Sequence, residues 1–164
     1  MKPIIIALVG ASGSGKTTLS LHLEKQVGIR AICSYTTRPM REGEVNGREH
    51  WFVDMTHPIP AEPLAYTFFG GHHYWTEQAQ IKEGVCTYVI DEKGLVELKE
   101  KWSGQYRIIA VKIIRPHNNT ELSRQNRDKE RIQLPDEFYD ATILNETPLQ
   151  QFLDLATNTI ISII

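Results

Sequence analysis

The sequence predicts an α/β fold, a parallel sheet flanked by helices and interrupted by a small β-rich insert. Three observations carry this. Short apolar runs rich in β-branched residues recur at Pro3–Val9, Val85–Ile90 and Arg107–Ile114, and such runs suit strands buried on both faces. Segments with helical spacing alternate with them, which is the order of strand–helix units in a parallel sheet. Between residues 33 and 87 the pattern shifts to short strand-like pieces broken by prolines and glycines.

The elements follow in order. Pro3–Val9 is the first buried strand. After a glycine-rich turn, Lys16–Gln26 repeats apolar positions at helical spacing through Leu19 and Leu23, and Gly28 ends that helix. Ile29–Tyr35 reads as a second strand, Thr36–Gly47 as a polar loop, and Arg48–Asp54 and Leu64–Phe69 as strands. Pro58, Pro60 and Pro63 exclude a regular helix between the last two. His72–Trp75 makes another short strand, and Thr76–Glu83 a short helix with Thr76 as N-cap and Gly84 as stop. The strand Val85–Ile90 ends at Asp91, the helix Glu92–Lys101 follows, and Arg107–Ile114 is a further buried strand. Thr120–Arg131 is charged and suits a helix, Ala141–Leu144 a short strand. Pro148–Ile160 closes the order as a helix, with Leu149, Phe152, Leu153 and Ala156 recurring every three or four residues.

Composition bounds the function. The 164 residues are 41% apolar and 23% charged, enough for one domain with its own core. Eighteen basic against twenty acidic residues give a net charge of −2, which argues against a general nucleic-acid coat or a polybasic membrane binder. Cys33 and Cys86 have no CxxC neighbour or zinc spacing and read as buried thiols of a reducing compartment. No apolar run reaches the ~18–20 residues of a membrane span, and the N-terminus lacks a signal-peptide pattern. The expected location is therefore cytoplasmic. The histidines, His72-His73 included, have no metal-site spacing, because neighbours on a strand face opposite ways.

The strongest motif is Gly10-Ala11-Ser12-Gly13-Ser14-Gly15-Lys16-Thr17, which matches G-x-x-x-x-G-K-[ST]. Its glycines let backbone N–H groups converge on phosphate oxygens, and the following helix adds the positive end of its dipole. Lys16 carries a cation toward the β- and γ-phosphates, and the Thr17 hydroxyl is a hard ligand suited to Mg²⁺. The motif follows a buried strand and opens a helix, as a P-loop NTPase core requires. Gly10, Ser12, Gly13, Ser14, Gly15, Lys16, Thr17 and Thr18 are therefore expected to bind a nucleoside triphosphate, which the resemblance given below makes ATP, with Mg²⁺.

A second polar segment, Ser34-Tyr35-Thr36-Thr37-Arg38-Pro39-Met40-Arg41-Glu42-Gly43-Glu44-Val45-Asn46-Gly47, gathers two arginines and several hydroxyls. Arginine forks match phosphate oxygens, so the segment suits an acceptor that is itself a phosphate ester. A solvated loop has the same composition. Glu121–Arg131 offers Arg124, Arg127 and Arg131, which share one face of a helix and suit charge stabilisation during phosphoryl transfer, although a solvated charged helix carries the same spacing.

The SYTTRP…R-x-GE-x-NG segment strongly resembles the acceptor-binding segment of guanylate kinases. The phosphate loop, His73-Tyr74-Trp75-Thr76, the VID-x-x-G at Val89–Gly94 and Leu144-Asn145 fit that family in order. The resemblance implies a single P-loop kinase domain over 1–164, with a core at 1–32 and 88–164, an inserted acceptor-binding lobe at 33–87 and a short helical lid at about 117–135. It implies transfer of the ATP γ-phosphoryl group to GMP or dGMP, with ATP and a nucleoside monophosphate as partners, no nucleic acid and no membrane. Monomer and homodimer both stay open. Ser34, Arg38, Arg41, His50 and Tyr74 would hold the acceptor phosphate, and Thr76 would help read the base. Asp91 would help Thr17 place Mg²⁺, Asn145 would lie at the ATP site, and Lys16, Arg38 and the lid arginines would act in catalysis.

The chain departs from the family pattern where it has His50 for a tyrosine, Trp75 for a glycine, and Ala65 and Val89 for two acids that read guanine. Glu62 and Glu77 are nearby carboxylates that stand in reach of that role in the sequence. A different monophosphate, a phosphorylated small molecule, or a binding module without turnover are the rival readings.

Overall fold

The computed structural model describes residues 1–116, 129 and 131–164. Two sheets share the chain. The larger is five-stranded, from β1 (Ile4–Val9), β2 (Arg30–Ile32), β7 (Val85–Val89), β8 (Arg107–Ile114) and β9 (Ala141–Leu144), in the order β2-β7-β1-β8-β9. Every pairing in it is parallel. The smaller contains β3 (Tyr35–Thr36), β4 (Trp51–Phe52), β5 (Ala65–Phe69) and β6 (His72–Thr76), in the order β4-β3-β6-β5. Three helices are described: α1 (Lys16–Val27), α2 (Glu92–Trp102) and α3 (Leu149–Ile163).

Alternation along β1 builds a three-layer core. Ile5, Ala7 and Val9 join Leu95, Leu98 and Trp102 of α2 in one apolar cluster. Ile6 and Leu8 join Leu19 and Leu23 of α1 and Phe152, Leu153, Ala156 and Ile160 of α3 in the other. Consecutive β1 residues thus face opposite layers, as strand geometry requires, and a continuous apolar run is the result. Leu64 and Ala65, just before and at the start of β5 in the smaller sheet, belong to the α2-side cluster, which seats that sheet against the larger one.

Several local expectations change. Residues 29–35 do not make one strand: β2 and β3 belong to different sheets, and the chain crosses between them at Cys33-Ser34. Val85 already pairs with Ile4, so residues 85–87 belong to the larger sheet rather than to an insert ending at 87. Thr76 is the last residue of β6, not an N-cap. The cap is Glu77, whose side chain and that of Gln80 close a reciprocal capping box around the 3₁₀ turn Gln78–Gln80. The final helix runs on to Ile163. Of the charged segment Thr120–Arg131, only Lys129 and Arg131 lie within the described residues.

All strands of the larger sheet point the same way, so their C-terminal ends share one edge. The turn after β1, Asp91 after β7, Arg115 after β8 and Asn145 after β9 meet there, where open parallel sheets bind ligands.

Candidate active site

A cleft of about 570 Å³ runs along that edge and under the smaller sheet. The glycine loop after β1 forms one side. Gly10 is pressed against the neighbouring strand: a Cβ there would stand 2.3 Å from the Ile113 carbonyl oxygen. Gly15 takes φ 107°, a left-handed conformation that a side chain resists, and caps α1. Asn145 fixes the loop from behind, its Nδ2 donating to the Ser14 carbonyl at 2.8 Å. The Lys16 ammonium folds back over the loop and donates to the Gly10 and Ala11 carbonyls, both at 2.7 Å. Gly10, Ser12, Gly13, Gly15, Lys16, Thr17, Thr18 and Asn145 all line the cleft, whereas Ser14 is fully buried and does not.

The second face comes from the segment after β3. Arg38 is buried, yet its guanidinium meets the Glu44 carboxylate in a two-pronged bond of 2.8 and 3.0 Å. Glu44 also accepts from the Arg41 backbone N–H at 2.7 Å. Burial pushes the Glu44 carboxyl up, but the Arg38 and Arg41 bonds outweigh it and hold the group below its ordinary value. His50 faces Ser34, with Oγ to Nδ1 at 2.8 Å, and packs edge-on against Tyr74 at 5.6 Å between ring centres. Burial and the Arg38 charge push its imidazole down to about 4, so it is neutral near pH 7. Ser34, Arg38, Arg41, His50 and Tyr74 therefore lie together on the cleft.

Asp91 stands between the two faces. It caps α2 by accepting from the Gly94 N–H at 2.7 Å and accepts from the Thr67 hydroxyl of the smaller sheet at 3.2 Å. Burial holds its carboxyl above the ordinary range despite these bonds. Arg131 reaches the same place. It pairs with Glu92 at 2.5 Å and donates to the Gly10 carbonyl. Arg124 and Arg127 lie outside the described residues.

One expected position is displaced. Thr76 is fully buried and does not line the cleft; its hydroxyl donates to Tyr88, which does, at 2.5 Å. Trp75 faces away and fills no pocket: its ring stacks on Tyr35 at 5.5 Å and leans on His57 at 5.9 Å. Ala65 and Val89 do line the cleft. Glu77 is spent on its capping box, and neither it nor Glu62 borders the cleft. Both thiols are pushed up to about 11 by burial, which suits packing rather than nucleophilic chemistry.

Glu44, Thr67, Tyr88 and Glu92 are the residues that sequence reasoning missed. Glu44 alone carried a signal, since it sits in the loop of the two arginines. The others depend on which strands become neighbours.

Comparison with known proteins places these features in a wider set. The family model described as guanylate kinase matches residues 1–138. A guanylate kinase of Nitrobacter hamburgensis is 34% identical over 132 residues, covering 74% of this chain and 59% of that protein. One from Rhodopseudomonas palustris strain CGA009 is 52% identical over 123 residues, covering 69% of this chain and 55% of its own length. The chain thus spans 55–59% of the length of these two curated relatives. The crystal structure of a guanylate kinase from Anaplasma phagocytophilum shares the fold, with a TM-score of 0.69 at 21% identity over 98% of this chain and 86% of that one.

Proposed function

The chain belongs to the guanylate kinase family, and from that premise we propose that it transfers the γ-phosphoryl group of ATP to GMP or dGMP. The observation that carries this reading is the pairing of two phosphate-suited faces on one cleft. The glycine loop with Lys16 and Thr18 would take the donor phosphates, and Ser34, Arg38, Arg41, His50 and Tyr74 the acceptor phosphate.

Catalysis in such a site is positioning and electrostatics, with no protein nucleophile. Backbone N–H groups and the positive end of α1 would hold the donor phosphates. Lys16 would exchange its bonds to the Gly10 and Ala11 carbonyls for phosphate oxygens. Glu44 fixes the Arg38 fork beforehand, so the acceptor phosphate meets an oriented cation. Neutral His50 would offer its second ring nitrogen while Ser34 holds the first. Arg131, steadied by Glu92, would add positive charge beside the loop.

The donor set also fits Mg²⁺. The Thr17 hydroxyl and the Asp91 carboxylate are hard oxygens on the same cleft, while no group of three His, Cys, Asp or Glu that could hold a metal exists among the described residues. Such a pair suits an ion that arrives on nucleotide phosphates and keeps several waters. When bound, Mg²⁺ supplies charge neutralisation at the phosphate oxygens.

The test is coupled ADP release with ATP, Mg²⁺ and each common nucleoside monophosphate in turn. Rapid release with GMP or dGMP is expected. Release with another acceptor alone would favour the second reading, a kinase for a different phosphate ester, which the neutral side chains of Ala65 and Val89 on the cleft wall support. No release, with weak ATP binding, would leave a binding module.

A further inference from the structure

Ala65 of β5 and Tyr88 and Val89 of β7 all line the cleft, beside Thr67 and Asp91. Ala65 and Val89 offer no polar side-chain atom. The Tyr88 hydroxyl is therefore the one side-chain polar group that these three residues present. Its oxygen already accepts from the Thr76 hydroxyl at 2.5 Å, and Thr76 is fully buried. The Thr76 proton fills one side of the Tyr88 oxygen, which leaves the phenol proton directed elsewhere. Burial drives the phenol well above its ordinary range, so that proton stays on the oxygen throughout the physiological range. The hydroxyl is thus a fixed donor.

The carboxylates on the cleft are engaged. Glu44 holds Arg38 and the Arg41 N–H. Glu49 accepts from Arg48 and the Val45 N–H. Asp91 accepts from Gly94 and Thr67. A fixed donor in a neutral wall matches a ring carbonyl oxygen and opposes an exocyclic amine, because two facing donors leave both unpaired. Ala65, Val89 and Tyr88 offer no carboxylate to accept from an amino group at the 2-position of a purine, and Asp91 beside them is held by Gly94 and Thr67.

We propose that Tyr88 is a specificity-determining residue that donates its hydroxyl proton to the ring carbonyl of the acceptor base, and that the 2-amino group of guanine goes unread. The acceptors are then monophosphates of carbonyl-bearing bases, GMP and IMP alike, with AMP disfavoured. This rests on the phosphoryl-transfer reading of the site above and adds to it which atoms of the acceptor are recognised.

The experiment titrates GMP, IMP, AMP and ATP into the whole chain by calorimetry and measures ADP release with the same three acceptors. Wild type, Tyr88→Phe and Thr76→Val are compared. GMP and IMP are expected to bind wild type within about threefold of each other and AMP at least about thirtyfold more weakly, the scale on which a site built around one hydrogen bond rejects its mismatch. Tyr88→Phe should weaken GMP and IMP about tenfold, leaving AMP and ATP within about twofold. Thr76→Val keeps the phenol but unlocks its proton, so it should produce a smaller loss of the same selectivity. An unchanged GMP-to-AMP ratio in Tyr88→Phe overturns the assignment, as does IMP binding more than about tenfold below GMP. If Tyr88→Phe fails to fold, as judged by its melting and ATP binding, Thr76→Val decides on the same ratio. Binding in the expected order without ADP release would remove the phosphoryl-transfer reading and keep the role of Tyr88; binding of none of the three removes both.

Discussion

Arg38 and Glu44 are locked together by two hydrogen bonds of 2.8 and 3.0 Å, with Arg38 buried and Glu44 mostly so. A guanidinium that lines the cleft is therefore oriented by an acid before any ligand arrives. Breaking such a pair from one side strands the other charge, which is a larger loss than the pair's net worth.

Glu44→Gln should accordingly raise the acceptor KM about tenfold while leaving the ATP KM within about twofold, because only the Arg38 fork is disturbed. Arg38→Ala should go further in the same direction. Steady-state kinetics with each substrate varied in turn checks both. An equal rise in both KM values would remove Arg38 from the acceptor side.

Lys16→Ala should abolish most phosphoryl transfer, by at least about a hundredfold in kcat, with the melting temperature little changed. The side chain donates to the Gly10 and Ala11 carbonyls of its own loop. Unchanged turnover would sink the assignment of the loop.

Gly15→Ala tests the loop's shape. The added Cβ would stand 2.7 Å from Asn145 Nδ2 and 3.2 Å from Phe152 Cε1, at a φ of +107°. The backbone conformation alone costs about 1–3 kcal/mol. The variant should melt lower and bind ATP more weakly, measured by calorimetry. Asn145→Ala clears one of the two contacts, and adding it should not restore stability, since the φ strain persists.

Stability should fall in acid through His50. Burial and the Arg38 charge take its imidazole from 6.5 down to about 4 on folding. Between those values the unfolded chain holds more protons than the folded one, so stability rises with pH there and falls as pH drops from about 6.5 to about 4. Glu44, held below its ordinary value, adds loss in the same direction as pH falls through its folded pKa. Urea midpoints between pH 7 and pH 4.5 check this. His50→Gln should show a shallower decline over that range, and an identical slope would mean that His50 does not carry it.

Much of this molecule was legible because its signals are local. The β1 run, the glycine motif and the helix after it lie within the first 28 residues, and each dictates its own conformation. Arg38, Arg41 and Ser34 share one segment, so their convergence needed no knowledge of topology. The misses are non-local. Thr76 and Tyr88 are on strands of different sheets, and nothing in either stretch announces that one hydroxyl meets the other. Trp75 packs as a buried side chain: strand alternation turns it to the face opposite Tyr74, against Tyr35. Arg131 finds Glu92 only because β7 and β8 flank β1.

The strand order also sets when the site can come into being. Ile4 in β1 pairs with Val85 on one side and Arg107 on the other, and Gly10 rests on the Ile113 carbonyl of β8. In a nascent chain the wholly apolar β1 strand is therefore without these partners until residues 85–89 and 107–112 have been made. The glycine loop that rests on β8 cannot settle before then, and the apolar strand ahead of it is open to wrong pairing in the meantime.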